Sequence, residues 1–511
     1  MLVLDKVSIR LTKEDHRLVD HLSFTLNPGD KYAIIGHEGT GKSTVLKELA
    51  GVEPLDYIER QGTIICQGKI GYLDQDIKAQ WQDCDVESFF LKETPSAAIN
   101  PDYYQSWHRI AALLEDVGFS QEAFSFEKKL SDFSGGEVIK LGIVRLLFHD
   151  YDLFLLDEPT NDLDFPTIAF LEQFMLTESR PILFVSHDVR LLERVANGII
   201  HIQRTHKHTD AQTYFEKIGY ADYRDLREKH YQSRYQIAVK ERQDHQRKLA
   251  RWRAIYQSVE HAQNQAVRTP STARLLKKKM KTMKAQERRL DKAEKTMTAI
   301  PEKEEGIEIW FDKSVALPAK KRVMDFTLEA LTIADRQLSG PIDFTVMGQE
   351  KVVITGPNGS GKTTLLKAIY RAFNGRDDIS VGYMPQDYHH LFTHQTVLEF
   401  LAVESSKEAE AKARKMLGAL QFEREEMVKP TVALSGGQKA KLYFLKMVLD
   451  QNNVLLLDEP TRNLSPLNMP EIARLLKEFQ GSIIAVSHDR AFIEAVFDTM
   501  VHLDKNGLKK V

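Results

Sequence analysis

The sequence predicts an α/β fold built twice: two parallel-sheet domains joined by a long antiparallel α-helical hairpin. Three observations carry this. Short apolar runs end in polar clusters, as buried parallel strands do. Five motifs recur in the same order in both halves of the 511-residue chain. Between the halves lies a glycine-free, basic stretch whose apolar side chains fall at seven-residue spacing.

The elements follow in chain order. "KYAIIG" and "KVVITG" are buried-strand runs, each entering a glycine loop, "GHEGTGKST" (Gly36–Thr44) and "GPNGSGKTT" (Gly356–Thr364). Helix-compatible stretches come next, "STVLKELAG" and "TTLLKAIYR". "GYLDQD" (Gly71–Asp76) pairs with "GYMPQD" (Gly382–Asp387), and "FSGGE" (Phe133–Glu137) with "LSGGQ" (Leu434–Gln438). "LFLLDEPTNDLD" (Leu153–Asp164) returns as "VLLLDEPTRNLS" (Val454–Ser465), and "VSHD" stands at Val185–Asp188 and Val486–Asp489. Polar residues at the ends of parallel strands lie where such sheets bind ligands.

Composition narrows the class. Hydrophobic content of 42% and charged content of 28% are those of a globular soluble protein. The chain is too long for one core, so several domains are expected. Two cysteines, Cys66 and Cys84, exclude a disulfide framework or a four-cysteine metal site and point to a reducing compartment. The charged start does not read as a signal peptide, and no apolar run reaches the roughly 18 residues of a membrane span. A cytoplasmic location is expected. The net charge of -3 hides an asymmetry: Asp222 to Ile300 holds 21 Lys and Arg against 9 Asp and Glu. Positive charge so concentrated is the footprint of a polyanion site.

G-x-x-x-x-G-K-[ST] is a phosphate loop, satisfied at Gly36–Ser43 and Gly356–Thr363. Its glycines, Gly36, Gly39 and Gly41 and again Gly356, Gly359 and Gly361, let backbone N–H groups curl around phosphates, with Thr44 and Thr364 completing the loops. Lys42 and Lys362 would neutralise the β and γ phosphates, and Ser43 and Thr363 would ligate Mg²⁺. Asp157 and Asp458 end apolar runs, where a carboxylate holds Mg²⁺ through water. Glu158 and Glu459 follow at once and point elsewhere, free to serve an attacking water. A lone histidine is more often structural than catalytic, but His187 and His488 repeat at equivalent places.

Together these motifs resemble ATP-binding-cassette domains, over roughly residues 1–218 and 305–511. The resemblance implies two P-loop NTPase cassettes using ATP and Mg²⁺, with residues 219–304 as the hairpin linker. It assigns Gln75 and Gln386 to sensing Mg²⁺ and the γ-phosphate, Glu158 and Glu459 to the catalytic bases, and His187 and His488 to γ-phosphate switches. Ser134, Gly135 and Gly136, like Ser435, Gly436 and Gly437, precede helix-compatible runs, and a helix N-terminus with bare glycines is an anion site. In this family that site grips the nucleotide held by the other cassette. The expected closed state of a monomer is a head-to-tail sandwich: Lys42 and Glu158 with Ser435, Lys362 and Glu459 with Ser134. Closure is then intramolecular. Some positions depart from the pattern: Glu38, Glu137 in place of the signature Gln, and Arg462-Asn463-Leu464-Ser465 where the first half has Asn161–Asp164. No aromatic platform precedes either loop; His16, Arg17 and Arg336 stand there, so an adenine would stack on imidazole or guanidinium.

Tyr231, Ala238, Trp252 and Val259 share one seven-residue register, interrupted by His245; Leu276, Met283, Leu290 and Met297 share another. Two long helices are expected, each about 60 Å at about 1.5 Å per residue, with a turn near Val267–Ser271. A solvated spacer would need no excess of one sign. Arg251, Trp252, Arg253, Tyr256, Arg268, Arg274 and Lys277, Lys278 and Lys279 suit RNA phosphates and unstacked bases.

Twin cassettes, no membrane span and a basic linker hairpin resemble the ABC-F family. That resemblance implies a partner, the 70S ribosome with its ribosomal RNA and peptidyl-tRNA. The ATP-bound form enters the tRNA exit site, the hairpin nears the peptidyl-transferase centre, and hydrolysis releases the protein. Translation factors and antibiotic-protection proteins both belong there. Gln75 to Ser134 spans 59 positions and Gln386 to Ser435 spans 49, leaving little room for a first-cassette arm. That gap and the short C-terminal end lean toward compact resistance members, the short hairpin turn away from them. A DNA-maintenance ATPase and a transporter energy subunit are the competing classes; two cysteines exclude an iron–sulfur recycling ATPase.

Overall fold

A computed structural model describes the chain apart from residues 13–15, 37–38, 52–56, 118, 120–125, 162, 204–211, 266–269, 296, 299–310, 312, 334–335, 402–406, 421, 423, 463, 465 and 468. At 16, 105, 107, 263–265, 270–274, 276, 291, 294–295, 313, 389 and 407 it describes the backbone alone. Two compact units result, Met1–Tyr220 with Glu304–Val511, and Ala221–Lys303.

The first unit holds two six-stranded sheets of one topology. In the first half the order is Ile70–Leu73, Leu153–Asp157, Ile182–Val185, Lys31–Gly36, Gly198–Gln203, Gln212–Glu216. Only the last pairing is antiparallel. The second half repeats it as Val381–Met384, Val454–Asp458, Ser482–Val486, Lys351–Thr355, Thr499–Asp504, Gly507–Lys510, again with one antiparallel edge. The inner strands are buried throughout, which is why they read as unbroken apolar runs. Parallel pairing brings their carboxyl ends to one edge. Asp157 lies opposite Val185 and Asp458 opposite Val486, so the acidic residues and the Ser-His-Asp segments emerge side by side.

Smaller antiparallel sheets cover one face. The first half uses His16–Leu26, Leu2–Leu11 and Ile58–Cys66. The second uses Arg322–Leu328 with Ile342–Met347, and Leu331–Ile333 with Arg336–Ser339. They close cores in which Leu4, Val19 and Phe24 meet Val45, Leu46 and Leu155, and Val323 and Phe344 meet Leu365, Leu366 and Leu456. Helices Lys42–Ala50 and Lys362–Ala372 start from Gly41 and Gly361 in the left-handed region. Asp188 and Asp489 cap helices Val189–Val195 and Arg490–Val496, accepting from Leu191 N and Phe492 N, which fixes the histidines just before them.

The second unit is the hairpin, helices Tyr220–Gln265 of 46 residues and Pro270–Lys295 of 26. The second is shorter than the spacing suggested. Trp252 Nε1 donates to Met283 O at 3.0 Å, His245 Nε2 lies 3.1 Å from Leu290 O, and Arg242 donates to Thr298 O at 3.4 Å. As one partner's number falls the other's rises, so the helices are antiparallel. Ala238, Val259, Met283 and Leu290 are buried along the seam. His245 therefore belongs to the seam as a polar lock rather than interrupting it. Most of the expected turn lies outside the described residues.

Candidate functional site

The site begins with two loops that only glycine can build. Gly36 and Gly356 have φ of 151° and 148°, and a Cβ there would stand 2.3 Å from Ile202 O or 2.2 Å from Leu503 O. The loops wrap back so that Lys42 Nζ donates to Gly36 O at 3.1 Å and Lys362 Nζ to Gly356 O at 2.9 Å. Burial pulls the Lys362 ammonium below the usual lysine range, opposed by Glu459, Asp164 and Asp458.

Beside each lysine the next hydroxyl meets the strand-end aspartate: Ser43 Oγ donates to Asp157 Oδ1 at 3.0 Å, Thr363 Oγ1 to Asp458 Oδ1 at 3.3 Å. Tyr72 donates to Asp157 Oδ2 at 3.3 Å, whereas Asp458 Oδ2 is buried without a hydrogen-bond partner. Burial pushes Asp157 up to about 6 and raises Asp458 as well. A buried carboxylate beside a hydroxyl at each strand end, with one oxygen of Asp458 orphaned, fits a hard divalent cation. No cluster of three or more His, Cys, Asp or Glu occurs among the described residues. The remaining ligands would be water and phosphate oxygens, the Mg²⁺ pattern.

Glu158 and Glu459 sit just past these strands with φ of 47° and 49°, left-handed conformations that non-glycine residues seldom adopt. Glu158 Oε1 is 2.9 Å from His187 Nε2, and its Oε2 is buried without a partner. Burial pushes this carboxyl up, but His187 and Lys42 outweigh it and hold it below the ordinary glutamate range. His187 Nδ1 lies 2.9 Å from Leu464 O of the other half, so the ring sits between that carbonyl and the Glu158 carboxylate. His488 is held differently. Its Nε2 is 3.7 Å from Glu459 Oε1, its Nδ1 is buried without a partner, and its ring stands edge-on to Phe165 at 5.7 Å. Burial, with Lys362 adding to it, lowers it to about 4, so it is neutral at pH 7.

Two cavities contain these groups. One, of 690 Å³, is lined by Lys362, Thr363, Thr364, Gln386, Asp458, Glu459 and His488, and by Ser134 and Gly135 of the other half. The other, of 630 Å³, is lined by Gly39, Gly41, Lys42, Ser43, Thr44, Gln75, Glu158 and His187, and by Gln386, Asp387 and Arg462 from across. The pairing of Ser134 with Lys362 thus appears, while Ser435, Gly436 and Gly437 are not in the lining of the Lys42 cavity. Gly136 is buried, its Cβ position 3.1 Å from Thr167 Oγ1.

The sequence profile of the ABC transporter family matches residues 19–161 and 340–462, over half the chain. This chain belongs to that family. The ribosome protection protein VmlR of Bacillus subtilis is 28% identical over 97% of this chain and 86% of its own length. The probable ATP-binding protein YheS of Escherichia coli is 28% identical over 96% and 77%. ABC transporter F family member 5 of Arabidopsis thaliana is 24% identical over 98% and 75%. An archaeal ribosome recycling factor, solved with a ribosomal stalk protein, superposes with a TM-score of 0.58 at 16% identity, covering 99% of this chain and 90% of that one; that likeness concerns the fold. No helix among the described residues is long and apolar enough to cross a membrane.

Several residues of this site were not foreseen. The shelf beside each phosphate loop is aliphatic, Leu11 and Leu18 in one cavity, Ile333 and Leu338 in the other. Arg17 is instead paired with Asp20, Arg336 is exposed, and the His16 side chain lies outside the described residues. The legible signal was Leu18 and Leu338 alternating in strands that pass under the loops: a Cβ on Gly41 would strike Leu18, and one on Gly361 would strike Leu338. Arg462 and Asn161 line both cavities. On the hairpin, Arg251, Arg253, Lys277, Lys278 and Lys279 are exposed. Trp252 corrects one expectation: it is half-buried with its indole N–H bound to Met283, a seam residue rather than an open stacking platform. Arg268 and Glu38 lie outside the described residues, as does the Arg274 side chain.

Proposed function

We propose that this chain is an ABC-F ATPase that binds the ribosome in its ATP-bound form and leaves on hydrolysis. The ATPase half of this reading is carried by one observation: Ser134 and Gly135 of one cassette share a cavity with Lys362, Thr363, Asp458 and Glu459 of the other. Lys42 and Lys362 hold the β and γ phosphates. Ser43, Asp157 and Gln75, and Thr363, Asp458 and Gln386, would hold Mg²⁺, which when bound neutralises charge across those phosphates. Glu158 and Glu459 take the proton of the attacking water, and His187 and His488 hold the γ-phosphate. Signature residues Ser134, Gly135 and Gly136 donate to the nucleotide held by Lys362, and Ser435, Gly436 and Gly437 to that held by Lys42. ATP then tightens the cassettes, and loss of the γ-phosphate frees them.

The ribosomal half is supported by a near full-length relative named as a ribosome protection protein and by the exposed cations of the hairpin. The hairpin enters from the tRNA exit site toward peptidyl-tRNA, acting in translation or in protection from ribosome-targeting antibiotics. The test is the full chain carrying Glu158→Gln and Glu459→Gln. It is expected to pellet with 70S ribosomes when ATP is present and to remain in the supernatant with ADP. Failure to pellet in low salt with ATP would refute the reading, and competitor duplex DNA that strips the protein from ribosomes would favour a DNA-maintenance role.

A further inference from the structure

The two signature helices begin alike and differ by one charge. Each starts from a serine in a capping box. At the first, Glu137 Oε2 accepts from Ser134 N at 2.8 Å and from Ser134 Oγ at 2.7 Å. At the second, Gln438 Oε1 accepts from Ser435 N at 3.1 Å, and its amide nitrogen donates to Glu426 at 2.8 Å. Ser134 lines the Lys362 cavity. A triphosphate seated there needs the Ser134 hydroxyl proton, and a carboxylate at 2.7 Å is a charged acceptor competing for it. The same carboxylate occupies the positive end of the helix and repels a terminal phosphate drawn to that end.

We propose that Glu137 is a built-in competitor for the γ-phosphate, so that the Lys362–Ser134 site discriminates ATP from ADP less strongly than the Lys42 site does. This rests on the proposed contact of Ser134 with the nucleotide held by Lys362. Glu137 acts through Ser134 and is a positioning residue. Glutamine is compatible with the fold at this place, because Gln438 makes the same cap in the other half.

The experiment uses the full chain with one site disabled. In the Lys42→Ala protein, a fluorescent ATP analogue and its ADP counterpart are titrated with and without Glu137→Gln. The expected result is a Kd for the ATP analogue lower by about tenfold, with the ADP analogue changed by less than about twofold. In the Lys362→Ala protein the mirror change, Gln438→Glu, weakens the ATP analogue by about tenfold, and Glu137→Gln does nothing. Equal shifts for ATP and ADP analogues, or no shift, would overturn the inference while leaving the sites intact. If neither lysine variant removes one of two bound nucleotides, the underlying site reading falls, and the role of Glu137 with it.

Discussion

Glu158 and Glu459 pair a catalytic assignment with a strained backbone, and the strain can be measured apart from the chemistry. Each is left-handed, with its N–H donating to Val185 O at 3.0 Å or Val486 O at 2.9 Å, and with its carbonyl accepting from Asn161 N at 3.2 Å or Arg462 N at 3.3 Å. These bonds lock the turn whatever side chain it bears. Replacing both glutamates by alanine or by glycine removes the same carboxylates. The variants then differ in the backbone alone. Alanine in the left-handed region costs about 1–2 kcal/mol. Glycine avoids that cost but loses about 0.5–1 kcal/mol to the freedom of the unfolded chain. The balance favours glycine by about 0.5–1 kcal/mol per site. For a cassette of this size, 1 kcal/mol moves Tm by about 2–4 °C. Scanning calorimetry of full-length Glu158→Gly/Glu459→Gly should therefore show cassette melting about 2–4 °C above Glu158→Ala/Glu459→Ala, both without ATPase activity. Ordinarily alanine is the more stabilising of the two. If the alanine protein melts at the same temperature or higher, the turns are not left-handed and store no strain.

Trp252→Phe keeps a ring in the hairpin seam but removes the bond to Met283 O, so it should cost about 1 kcal/mol, read as earlier loss of helical signal in urea. His149 is lowered to about 4, first by burial and then by Arg145. Its folded value lies below the unfolded value of about 6.5, so the unfolded state takes up the proton first as pH falls. The resulting stability is complete above about pH 6.5 and is lost toward pH 4, up to about 3 kcal/mol. His149→Gln should flatten this loss, so the Tm difference between wild type and variant should narrow or reverse between pH 7 and 4.5. Changing Arg251, Arg253, Lys277, Lys278 and Lys279 to glutamine should weaken ribosome binding and reduce its salt slope by about 0.7–0.9 for each phosphate no longer neutralised, with basal ATPase activity unchanged.

The duplicated sheets were legible because a strand buried on both faces leaves an unbroken apolar run, and because the motifs at strand ends are local in sequence. The partnership of Ser134 with Lys362 was legible only through family resemblance, since no local pattern tells which half faces which. The aliphatic shelves were missed because a leucine in a strand carries no signature of a ligand shelf, and only the close approach of Gly41 to Leu18 and of Gly361 to Leu338 shows it. His245 read as a break in the heptad because periodicity scores polarity and not the carbonyl of Leu290 that satisfies it. The left-handed turn at the two glutamates leaves no trace in composition; glutamate there opposes backbone preference, as happens where a side chain is kept for chemistry.

The contacts that pass between the cassettes are not mirror images, and this bears on how one site senses the other. His187 Nδ1 is bonded to Leu464 O at 2.9 Å, and Leu464 lies on the turn that follows Glu459. The equivalent nitrogen of His488 has no partner, and its ring rests on the edge of Phe165. A hydrogen bond is directional and fails within a few tenths of an ångström, whereas an aromatic edge contact slides. Glu172, nearly inaccessible, ties both sides: Arg194 of its own cassette at 2.6 Å and Arg490 of the other at 3.3 Å, with Arg490 also donating to Phe165 O at 3.3 Å. Movement of His187 is therefore transmitted directly to the turn carrying Glu459. His488 meets the first cassette at Phe165, whose carbonyl Arg490 binds while also pairing with Glu172. The two contacts therefore differ in kind: His187 is tied to the turn after Glu459 through a hydrogen-bond distance of 2.9 Å, and His488 meets the first cassette through an aromatic edge.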